Sequence, residues 1–459
     1  MTTTTLVVGF GRTGRAVTAA VTAAGGRVVV ADDRADDTLR QAVVAAGGRL
    51  VPADATALDG VERVVPSPGV PVGHPLLAAA TRAGVPIHSE VELAYEALEA
   101  RATPPLLVAI TGTNGKTTVT EAVAGLLRSS GRRAVTGGNI GTPLVEAVAA
   151  DTDVVVAEVS SFQLQFTARW RPAVSCWLNL SDDHLDWHPT PEHYAAAKAR
   201  IWANQGAGDT AVVNADDPAV AAAALAIPGA VRVVRFGTGP AADFRDASPP
   251  EAASDPASSR LLGPGGHDLL AGAAMARALP HDRANALAAA AVAVAAGATL
   301  AGVAAGLAAW RPLGHRVELV GETGGVRFFD DSKATTPASV LAATAGFRSV
   351  VLIAGGRNKG LDLRGMRAAA PPVHTVVAIG EAADEVAAAF AGAATVLRAD
   401  DMTAAVAAAT SAARAGDAVV LSPGCASFDW YPSYAARGDH FAAAVRALIA
   451  PSDAPEEPT

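Results

Sequence analysis

A short apolar strand that runs into a glycine-containing loop and then a helix is the feature that most restricts the fold of this chain. Leu106–Ile110 is typical of a buried strand, Gly112 and Gly115 lie in the loop, and Lys116 begins a helical segment. The loop departs from the usual phosphate-loop spacing, because isoleucine stands where that consensus has its first glycine. Its chemistry is still present, since glycines allow close backbone approach and helix N-terminal amides bind phosphate. The order strand, loop and helix predicts an α/β fold with a nucleotide site.

The alternation of strand-like and helix-like segments extends along the chain in three stretches. Thr103-Pro-Pro105 and Arg311-Pro-Leu-Gly314 interrupt it. We predict a Rossmann-like N-terminal domain at residues 1–103, a central P-loop ATPase-type α/β domain at 104–312, a C-terminal Rossmann-like α/β domain at 313–450, and a disordered tail at 451–459. The predicted strands outside the phosphate loop are Leu6–Phe10, Arg27–Asp32, Arg63–Val65, Val85–His88, Asp153–Ser160, Val174–Asn179, Asp209–Asn214, Val326–Asp330, Ser349–Ala354, Thr375–Ile379 and Ala418–Ser422.

Three local patterns give further expectations. Ser89 and Glu92 have the spacing of a capping box, so we expect them to begin a helix that ends near Arg101. Residues 238–260 are rich in Ala, Pro, Ser and Asp without periodicity, which predicts a surface excursion. Residues 284–310 carry no charge, but a Gly-Ala-Thr break at 297–299 favours two packed helices over a membrane span.

Composition narrows the function classes. The net charge of −9 argues against a surface for nucleic acid or anionic membrane. Cys176 and Cys425 are far apart in sequence and give neither a disulfide framework nor a zinc spacing. The N-terminus has no basic segment followed by a long apolar one, so no signal peptide is expected. We therefore expect a cytoplasmic protein without nucleic-acid or membrane partners.

Lysine is rare among the basic residues. Of the 36 lysines and arginines only four are lysine, so arginine serves wherever a generic surface cation is enough. Either the four lysines are random remnants of base-composition drift, or each does what a guanidinium cannot, such as act as a compact charge on phosphate or lose its proton and react. Their positions decide between these interpretations. The four are Lys116, Lys198, Lys333 and Lys359.

The first glycine loop along the chain, which lies near the N-terminus, has the dinucleotide-binding pattern. Gly9, Gly11 and Gly14 follow a predicted strand and open a helix, and Asp32 ends the next strand. Amides at such a helix N-terminus face a pyrophosphate. NAD(P), FAD and a nucleotide-sugar diphosphate share that group, and a tight turn without any ligand remains an alternative.

Candidate phosphate and metal ligands lie in the central third of the chain. Lys116 can reach the terminal phosphates of a nucleotide, and Thr117 can ligate Mg²⁺. Glu158 and His184 each lie just past an apolar strand, where ligand-binding groups gather in open α/β sheets. The hard oxygen of Glu158 suits Mg²⁺, whereas His184 alone would suggest a transition metal. Lys198, taken alone, is most simply part of a solvated helix face.

Ordered motifs over nearly the whole chain resemble the Mur ligase family, which also includes folylpolyglutamate synthetase. The phosphate loop Thr-Gly-Thr-Asn-Gly-Lys-Thr-Thr is one of them. The combination of Ser-Ser-Phe-Gln-Leu, Asp-Ser-Lys-Ala-Thr and Ser-Pro-x-Cys-Ala-Ser is most similar to the branch that adds D-glutamate to UDP-N-acetylmuramoyl-L-alanine. The motifs after the loop are Gly137-Gly-Asn-Ile-Gly141, Glu158-Val-Ser-Ser-Phe-Gln-Leu164, Asp183-His-Leu-Asp186, Tyr194-Ala-Ala-Ala-Lys198, Asn285-Ala-Leu, His315-Arg316, Asp331-Ser-Lys-Ala-Thr335 and Ser422-Pro-Gly-Cys-Ala-Ser-Phe-Asp429.

The resemblance implies an ATP-dependent acid–amino-acid ligase of peptidoglycan precursor synthesis. The alanine carboxylate of UDP-N-acetylmuramoyl-L-alanine would attack the γ-phosphate of ATP, and the amine of D-glutamate would then displace phosphate from the acyl phosphate. The resemblance also implies Mg²⁺ and a carbamylated Lys198, a carboxylate-like metal ligand that arginine cannot form. Domain closure would exclude water from the acyl phosphate. We expect the enzyme to be a monomer.

Matching positions assign site residues by group. The catalytic residues implied are Lys116, Glu158, His184 and Lys198, and the metal ligands implied are Thr117, Glu158, His184 and Lys198. The ATP site implied comprises Gly112, Thr113, Asn114, Gly115, Lys116, Thr117, Thr118, Asn285, Arg316 and Asp331. The UDP-substrate site implied comprises Thr13, Gly14, Asp32, Arg34, Ser67, Pro68, Gly69 and Asn139. The D-glutamate site implied comprises Lys333, Thr335, Lys359, Ser427, Phe428 and Tyr434.

Two segments depart from the family pattern. Thr336 stands where the D-glutamate branch usually has asparagine, and Leu279-Pro-His-Asp-Arg stands where the family usually has Gly-x-His-Asn. Three alternatives stay open from the residues: a dehydrogenase that uses the first glycine loop, a P-loop switch or binding module, and a sister ligase that adds a different amino acid. The dehydrogenase alternative leaves Lys116 and Glu158 without a role.

Overall fold

The N-terminal domain is a four-stranded parallel sheet covered by helices. The computed structural model describes residues 3–184, 187–249 and 258–450 of the chain. Strand order in this sheet is β3-β2-β1-β4, so the first glycine loop follows a central strand. The elements are β1 Thr4–Val8, α1 Arg12–Ala23, β2 Arg27–Ala31, α2 Asp37–Ala45, β3 Arg49–Leu50, β4 Arg63–Pro66, α3 Pro75–Ala83 and α4 Glu90–Glu99.

Two local predictions in this domain are wrong. Val85–His88 does not form a strand, and only an isolated bridge joins Ile87 to Val64. Pro86 has no N–H to donate, so it can only accept a hydrogen bond, which it does from the amide of Val64 at 2.9 Å.

The predicted capping box at the start of α4 is also absent. Ser89 is the N-cap by position, but its side chain makes no capping hydrogen bond. Glu92 accepts hydrogen bonds from the backbone amides of Ala168, Arg169 and Trp170, at 2.7–3.1 Å. A local motif therefore gives way to a tertiary contact with the middle domain.

The middle domain is built on a nine-stranded sheet in the order β13-β12-β11-β10-β9-β8-β5-β7-β6. Its strands are parallel except at the β12 and β13 edge, which is antiparallel. The elements up to the last edge strand are β5 Leu106–Thr111, α5 Lys116–Ser129, β6 Ala134–Gly138, α6 Leu144–Ala147, β7 Val154–Glu158, α7 Ser161–Gln165, β8 Val174–Trp177, α8 Pro191–Ala199, β9 Thr210–Asn214, α9 Pro218–Ala223, β10 Arg232–Gly237, β11 Phe244–Asp246, β12 Arg260–Leu262 and β13 Asp268–Ala271.

Part of the predicted surface excursion belongs to the sheet. Residues 244–246 pair with β10, and the Phe244 ring is buried in the middle-domain core with Phe236 and Leu261. The segment had too few apolar residues for its strand to be visible in the sequence. Residues 250–257 of the same predicted excursion lie outside the described residues.

The uncharged stretch before the second boundary forms two helices, as predicted. They are α10 Pro280–Ala295 and α11 Leu300–Ala309, and both pack against α5 through a core rich in alanine. Among the residues that the structure describes, no helix has the length and apolarity needed to span a membrane.

The C-terminal domain is a six-stranded sheet in the order β14-β15-β19-β16-β17-β18, parallel except for the β14 edge. The predicted tail at 451–459 lies outside the described residues. The elements are β14 Glu318–Thr323, β15 Val326–Asp330, α12 Pro337–Thr344, β16 Val350–Gly355, β17 Val373–Ile379, α13 Ala383–Phe390, β18 Thr395–Arg398, α14 Met402–Ala412, β19 Ala418–Leu421 and α15 Tyr434–Ile449.

The N-terminal and middle domains share an apolar core, whereas the C-terminal domain has largely separate cores. One core runs without interruption from the N-terminal domain into the middle domain, through residues such as Val17, Leu93, Leu144 and Trp170. The C-terminal domain has two cores of its own, to which the middle domain contributes only Leu279 among the described residues. The N-terminal and middle domains therefore form one packed unit.

Candidate active site

A cavity of about 340 Å³ lies between the middle and C-terminal domains, at the carboxyl ends of the central middle-domain strands. The phosphate loop forms its floor, and the segment before α12 forms the opposite wall. The predicted site residues that line it are Thr113, Asn114, Gly115, Lys116, Thr117, Thr118, Asn139, Glu158, His184, Asn285, Arg316, Asp331, Lys333, Thr335 and Lys359.

The phosphate loop has the shape that its sequence predicts. Gly115 is in the left-handed region with φ of +81°, and a Cβ there would stand 2.7 Å from Oδ1 of Asn285. Only glycine fits both constraints. Lys116 Nζ donates hydrogen bonds to the carbonyls of Gly112 and Thr113, each at 2.9 Å. Burial lowers the pKa of Lys116.

Lys198 lies behind the phosphate loop, on α8. Its side chain is only 1% exposed, so the solvated helix face suggested by its local sequence is wrong. Its Nζ donates to the carbonyl of Gly112 at 2.9 Å, which is the same oxygen that Lys116 contacts. Burial, and then the charge of Lys116, hold the pKa of Lys198 well below its ordinary value. Two amines on one carbonyl leave a site poorly suited to two positive charges.

Glu158 and Asn139 form the acidic side of the cavity. Glu158 ends β7 and is 2% exposed, and its Oε1 accepts a hydrogen bond from Asn139 Nδ2 at 2.8 Å. Its Oε2 is buried and has no hydrogen-bond partner among the described residues. An orphaned carboxylate oxygen beside phosphate-binding amides can accept a cation.

His184 occupies a strained turn at the same edge of the sheet. Its φ of +56° is unusual for a residue other than glycine, and strain of this kind gathers at functional sites. Nε2 lies 3.3 Å from Oδ2 of Asp183, and both residues line the cavity. Leu185 and Asp186, which complete the predicted motif, lie outside the described residues.

The C-terminal wall carries a buried carboxyl and a half-buried guanidinium. Asp331 Oδ2 accepts from Ser422 Oγ at 2.8 Å, and burial raises the pKa of Asp331 to about 7. Burial lowers the pKa of Arg316, whose carbonyl accepts from Arg277 of the middle domain. Both predicted ATP-site residues therefore face the phosphate loop across the interface.

Lys333 and Lys359 carry the positive charge of this wall. Lys333 Nζ lies 3.9 Å from the centre of the Tyr434 ring, and Lys359 Nζ lies 5.9 Å from that of Phe428. Burial, and then the charge of Arg316, lower the pKa of Lys333 to about 8. Ser427, which precedes Phe428 in the sequence, is buried. Ser427, Phe428 and Tyr434 are not part of the cavity wall itself.

The N-terminal domain has a separate cavity of about 440 Å³. Asp32 anchors it by accepting from the amides of Phe10 and Arg34, at 2.8 and 2.9 Å. Gly14 lies beneath it, because a Cβ there would stand 2.2 Å from the carbonyl oxygen of Gly9. Asn139 lines the main cavity instead. The predicted UDP-site residues in the wall are Thr13, Asp32, Arg34, Ser67, Pro68 and Gly69.

Several residues of the main cavity were missed in the sequence. Asn179 lies just past the end of β8, and Glu158 lies at the end of β7. The position of Asn179 after a strand could therefore have identified it as a site residue. Its Oδ1 accepts from the amides of Thr113 and Asn114. Ser339 of the C-terminal domain also lines the cavity, and its signal was its position four residues after the predicted site motif that ends at Thr335.

Among the residues that the structure describes, one further group of potential metal ligands lies outside this set. His315, Glu318 and Asp330 place their ligand atoms within 4.8 Å of one another. His315 Nδ1 and Asp330 Oδ2 already contact each other at 2.7 Å, so a direct side-chain contact explains the group.

Comparison with known sequences identifies the class of protein. A model of the Mur ligase middle domain matches residues 110–293, and one of the Mur ligase glutamate ligase domain matches residues 315–425. A model of the Mur ligase MurD-like N-terminal domain matches residues 3–89. The chain belongs to the Mur ligase family.

Similar proteins agree over nearly the full length. The UDP-N-acetylmuramoylalanine–D-glutamate ligase of Frankia casuarinae is 45% identical, over 96% of this chain and 93% of its own. The protein of the same name from Pelotomaculum thermopropionicum is 39% identical, over 96% of this chain and 97% of its own.

Solved structures agree in fold. MurF from Acinetobacter baumannii has a TM-score of 0.62 at 19% identity, over 97% of this chain and 90% of its own. MurC from Thermotoga maritima has a TM-score of 0.58 at 18% identity, over 97% and 99%. The three-domain α/β architecture predicted from the sequence is confirmed.

Proposed function

We propose that this chain is an ATP-dependent ligase that joins D-glutamate to UDP-N-acetylmuramoyl-L-alanine in peptidoglycan precursor synthesis. The observation that carries the proposal is the convergence of the four lysines. Lys116, Lys333 and Lys359 line the main cavity, and Lys198 contacts the phosphate loop beneath it. Random retention would have scattered them. The similarity to D-glutamate ligases over nearly the whole chain supports the same conclusion.

ATP would place its phosphates on the loop amides and Lys116. The adenosine would then extend toward Asn285, Arg316 and Asp331, which line the same cavity. A carboxylate oxygen of the acceptor attacks the γ-phosphorus, and the bond to the ADP oxygen breaks. Preorganised cations around the transferred group are the main contribution that a protein makes to such a step.

Mg²⁺ fits the acidic side of the cavity, where Glu158 Oε2 is buried without a hydrogen-bond partner among the described residues. Thr117, Glu158 and His184 would hold it. When bound, the ion neutralises charge on the phosphates and orients them for in-line displacement.

Lys198 fits this metal site only as a carbamate. Burial lowers the pKa of this amine and so favours its neutral form, and only the neutral form adds to carbon dioxide with loss of a proton. The product is an anion, which would stand beside the Lys116 cation where two amines now share the Gly112 carbonyl. An anion there carries none of the like-charge repulsion that a doubly protonated pair would have.

D-Glutamate would bind the C-terminal wall. Its carboxylates would pair with Lys333 and Lys359, with Thr335, Ser427, Phe428 and Tyr434 around them. The amine attacks the acyl carbon, the bond from that carbon to the phosphate oxygen breaks, and the nitrogen loses a proton. Closure of the C-terminal domain would keep water from the acyl carbon during this exchange.

The remaining parts of the proposal follow the domain layout. The UDP group would occupy the N-terminal cavity, and Asn139 would meet the acceptor where it enters the main cavity. The domains would end at residues 103, 312 and 450. The enzyme would act as a cytoplasmic monomer.

One assay tests the function. The protein is incubated with UDP-N-acetylmuramoyl-L-alanine, ATP, Mg²⁺ and one amino acid at a time, and phosphate release is measured against a blank without amino acid. D-Glutamate is expected to give the fastest release and a matching amount of amide. Release no faster than the blank would reject the proposal, and faster release with another amino acid would favour a sister ligase.

A further inference from the structure

A hydrogen bond between two side chains joins the phosphate loop to the C-terminal domain. Oγ of Ser339, on the first turn of α12, donates a hydrogen bond to Oδ1 of Asn114 at 2.9 Å. The two residues are 225 positions apart, and both line the main cavity. This bond joins the proposed ATP-binding loop directly to the domain proposed to bind the amino acid.

Each end of the bond is held in place. The amide of Asn114 donates to Oδ1 of Asn179 at 2.8 Å, and Asn179 Nδ2 donates back to the carbonyl of Asn114 at 3.1 Å. On the other side, Thr336 Oγ1 caps α12 by accepting from the amide of Ser339, and its hydroxyl lies 2.9 Å from Ser339 Oγ. Both partners are therefore preorganised, which lowers the entropy lost when they meet.

The other polar contacts across this interface lie away from the phosphate loop. Arg277 donates to the carbonyls of Arg316 and Val317, beside the predicted hinge. His281 lies 3.1 Å, through Nδ1, from the carbonyl of Ala342 near the end of α12. The Arg277 contacts can keep the C-terminal domain attached while it rotates, whereas the Ser339 and His281 contacts exist only while α12 lies against the middle domain.

We propose that the hydrogen bond from Ser339 to Asn114 is a closure latch, which aligns the amino-acid-binding domain with the phosphate loop during the two chemical steps. Ser339 is a positioning residue, because it acts through Asn114 and α12 and not on a reacting atom. The latch rests on the proposed function, since its benefit is the protection of the acyl phosphate.

The consequence of an open latch follows from the chemistry of that intermediate. Water can attack the acyl carbon in place of the amine, and the bond from carbon to the phosphate oxygen then breaks. The original carboxylate and inorganic phosphate are released. ATP is hydrolysed, and no amide forms. Loss of the latch should therefore separate ATP consumption from product formation.

The test compares Ser339→Ala with the wild type, with Ser339→Thr, and with Ser411→Ala as a matched control. Ser411 is an exposed residue on α14, outside the cavity. ADP and amide are both measured. The wild type, Ser339→Thr and Ser411→Ala should form about one ADP per amide. Ser339→Ala should form more than about two ADP per amide. Its kcat/KM for the amino acid should fall about three- to tenfold, while its KM for ATP should change little. A ratio of one for Ser339→Ala would reject the latch.

A double-mutant cycle separates the latch from a general loss of packing. In an Asn114→Ala background, Ser339→Ala should have less than about a twofold further effect, because the partner of the hydroxyl is already gone. Equal effects in both backgrounds would overturn the proposal.

Small-angle scattering tests the latch without any amino acid, so its result does not depend on which amino acid the enzyme uses. With Mg²⁺ and a non-hydrolysable ATP analogue, Ser339→Ala should compact less than the wild type, and equal compaction would count against the latch. If the wild type forms no amide with D-glutamate, the proposed function fails by itself, and this comparison still decides the latch.

Discussion

The two domain interfaces of this chain are built in opposite ways. Between the N-terminal and middle domains, a continuous apolar core is reinforced by Glu92, whose carboxylate accepts three backbone amides at 0% exposure. Between the middle and C-terminal domains lies a polar cavity, and the direct side-chain contacts are few and include the Ser339–Asn114 bond. The first interface is suited to remaining packed throughout the catalytic cycle. The second is suited to being broken and re-formed in each catalytic cycle.

This difference predicts two kinds of mutant. Changes at the cavity should alter chemistry and leave stability nearly unchanged. Changes at the shared core should alter stability and leave the kinetic constants of the folded protein nearly unchanged.

Lys198→Arg should give the largest effect, a loss of turnover of about 10³-fold, because arginine cannot form a carbamate and keeps a positive charge at the metal site. Steady-state amide formation measures it. Lys198→Ala should regain part of the activity with a short-chain carboxylic acid. Arg364→Lys, at an exposed position, is the control for exchanging one type of basic residue for the other. Full activity of Lys198→Arg would contradict the carbamate.

Glu92→Ala should give the largest effect at the fixed interface. It leaves three backbone amides without an acceptor, one of them in a buried bond and two in partly buried ones, so the free energy of unfolding should fall by about 3 kcal/mol. Glu99→Ala is the matched control on the same helix, since Glu99 makes an exposed ion pair with Arg169 and accepts none of these amides. Denaturant unfolding followed by fluorescence distinguishes the two. If both variants were equally stable, the interface would not depend on this carboxylate.

Lys333 should make D-glutamate binding sensitive to alkaline pH. Its pKa is lowered to about 8, so the cation is present below that pH and is lost as the pH rises through it. KM for D-glutamate should therefore increase by up to about tenfold for each pH unit above 8, as the charged fraction falls. Lys333→Arg keeps its charge and should show a smaller rise, while the amine of the substrate titrates equally in both. Parallel profiles would remove Lys333 from this role.

Glu90→Gln should affect stability alone. Burial raises the pKa of Glu90 from 4.5 to about 7, so between those values the folded protein holds a proton that the unfolded chain has released. Wild-type stability should therefore decline from about pH 4.5 to 7 through this group and change no further above pH 7. Glutamine carries no such proton and can still accept from the Val145 amide. The difference in Tm between variant and wild type should grow across that window, and a constant difference would contradict the assignment.

The sequence predicted those parts of the molecule that depend on neighbours along the chain. The phosphate loop is a local unit, because strand, glycines and helix are adjacent, and Lys116 lies as expected. The strand Val326–Asp330 has the predicted limits for the same reason.

The errors and omissions have a common physical cause. Ser89 fails to cap its helix, and Glu92 instead accepts amides 76–78 residues away. The residues at 244–246 become a strand through their partners in β10. Ser339 reaches the cavity only because two domains meet. Contacts between residues distant in sequence leave no periodicity or local motif.

In the proposed reaction, ATP activates the acceptor's carboxylate within the cavity between the middle and C-terminal domains. The most direct measurement uses UDP-N-acetylmuramoyl-L-alanine with both oxygens of its alanine carboxylate labelled with ¹⁸O, together with ATP, Mg²⁺ and D-glutamate. Mass spectrometry of the products should find one labelled oxygen in each inorganic phosphate and one in each new amide. Unlabelled phosphate, with the label retained in the acceptor, would contradict the account.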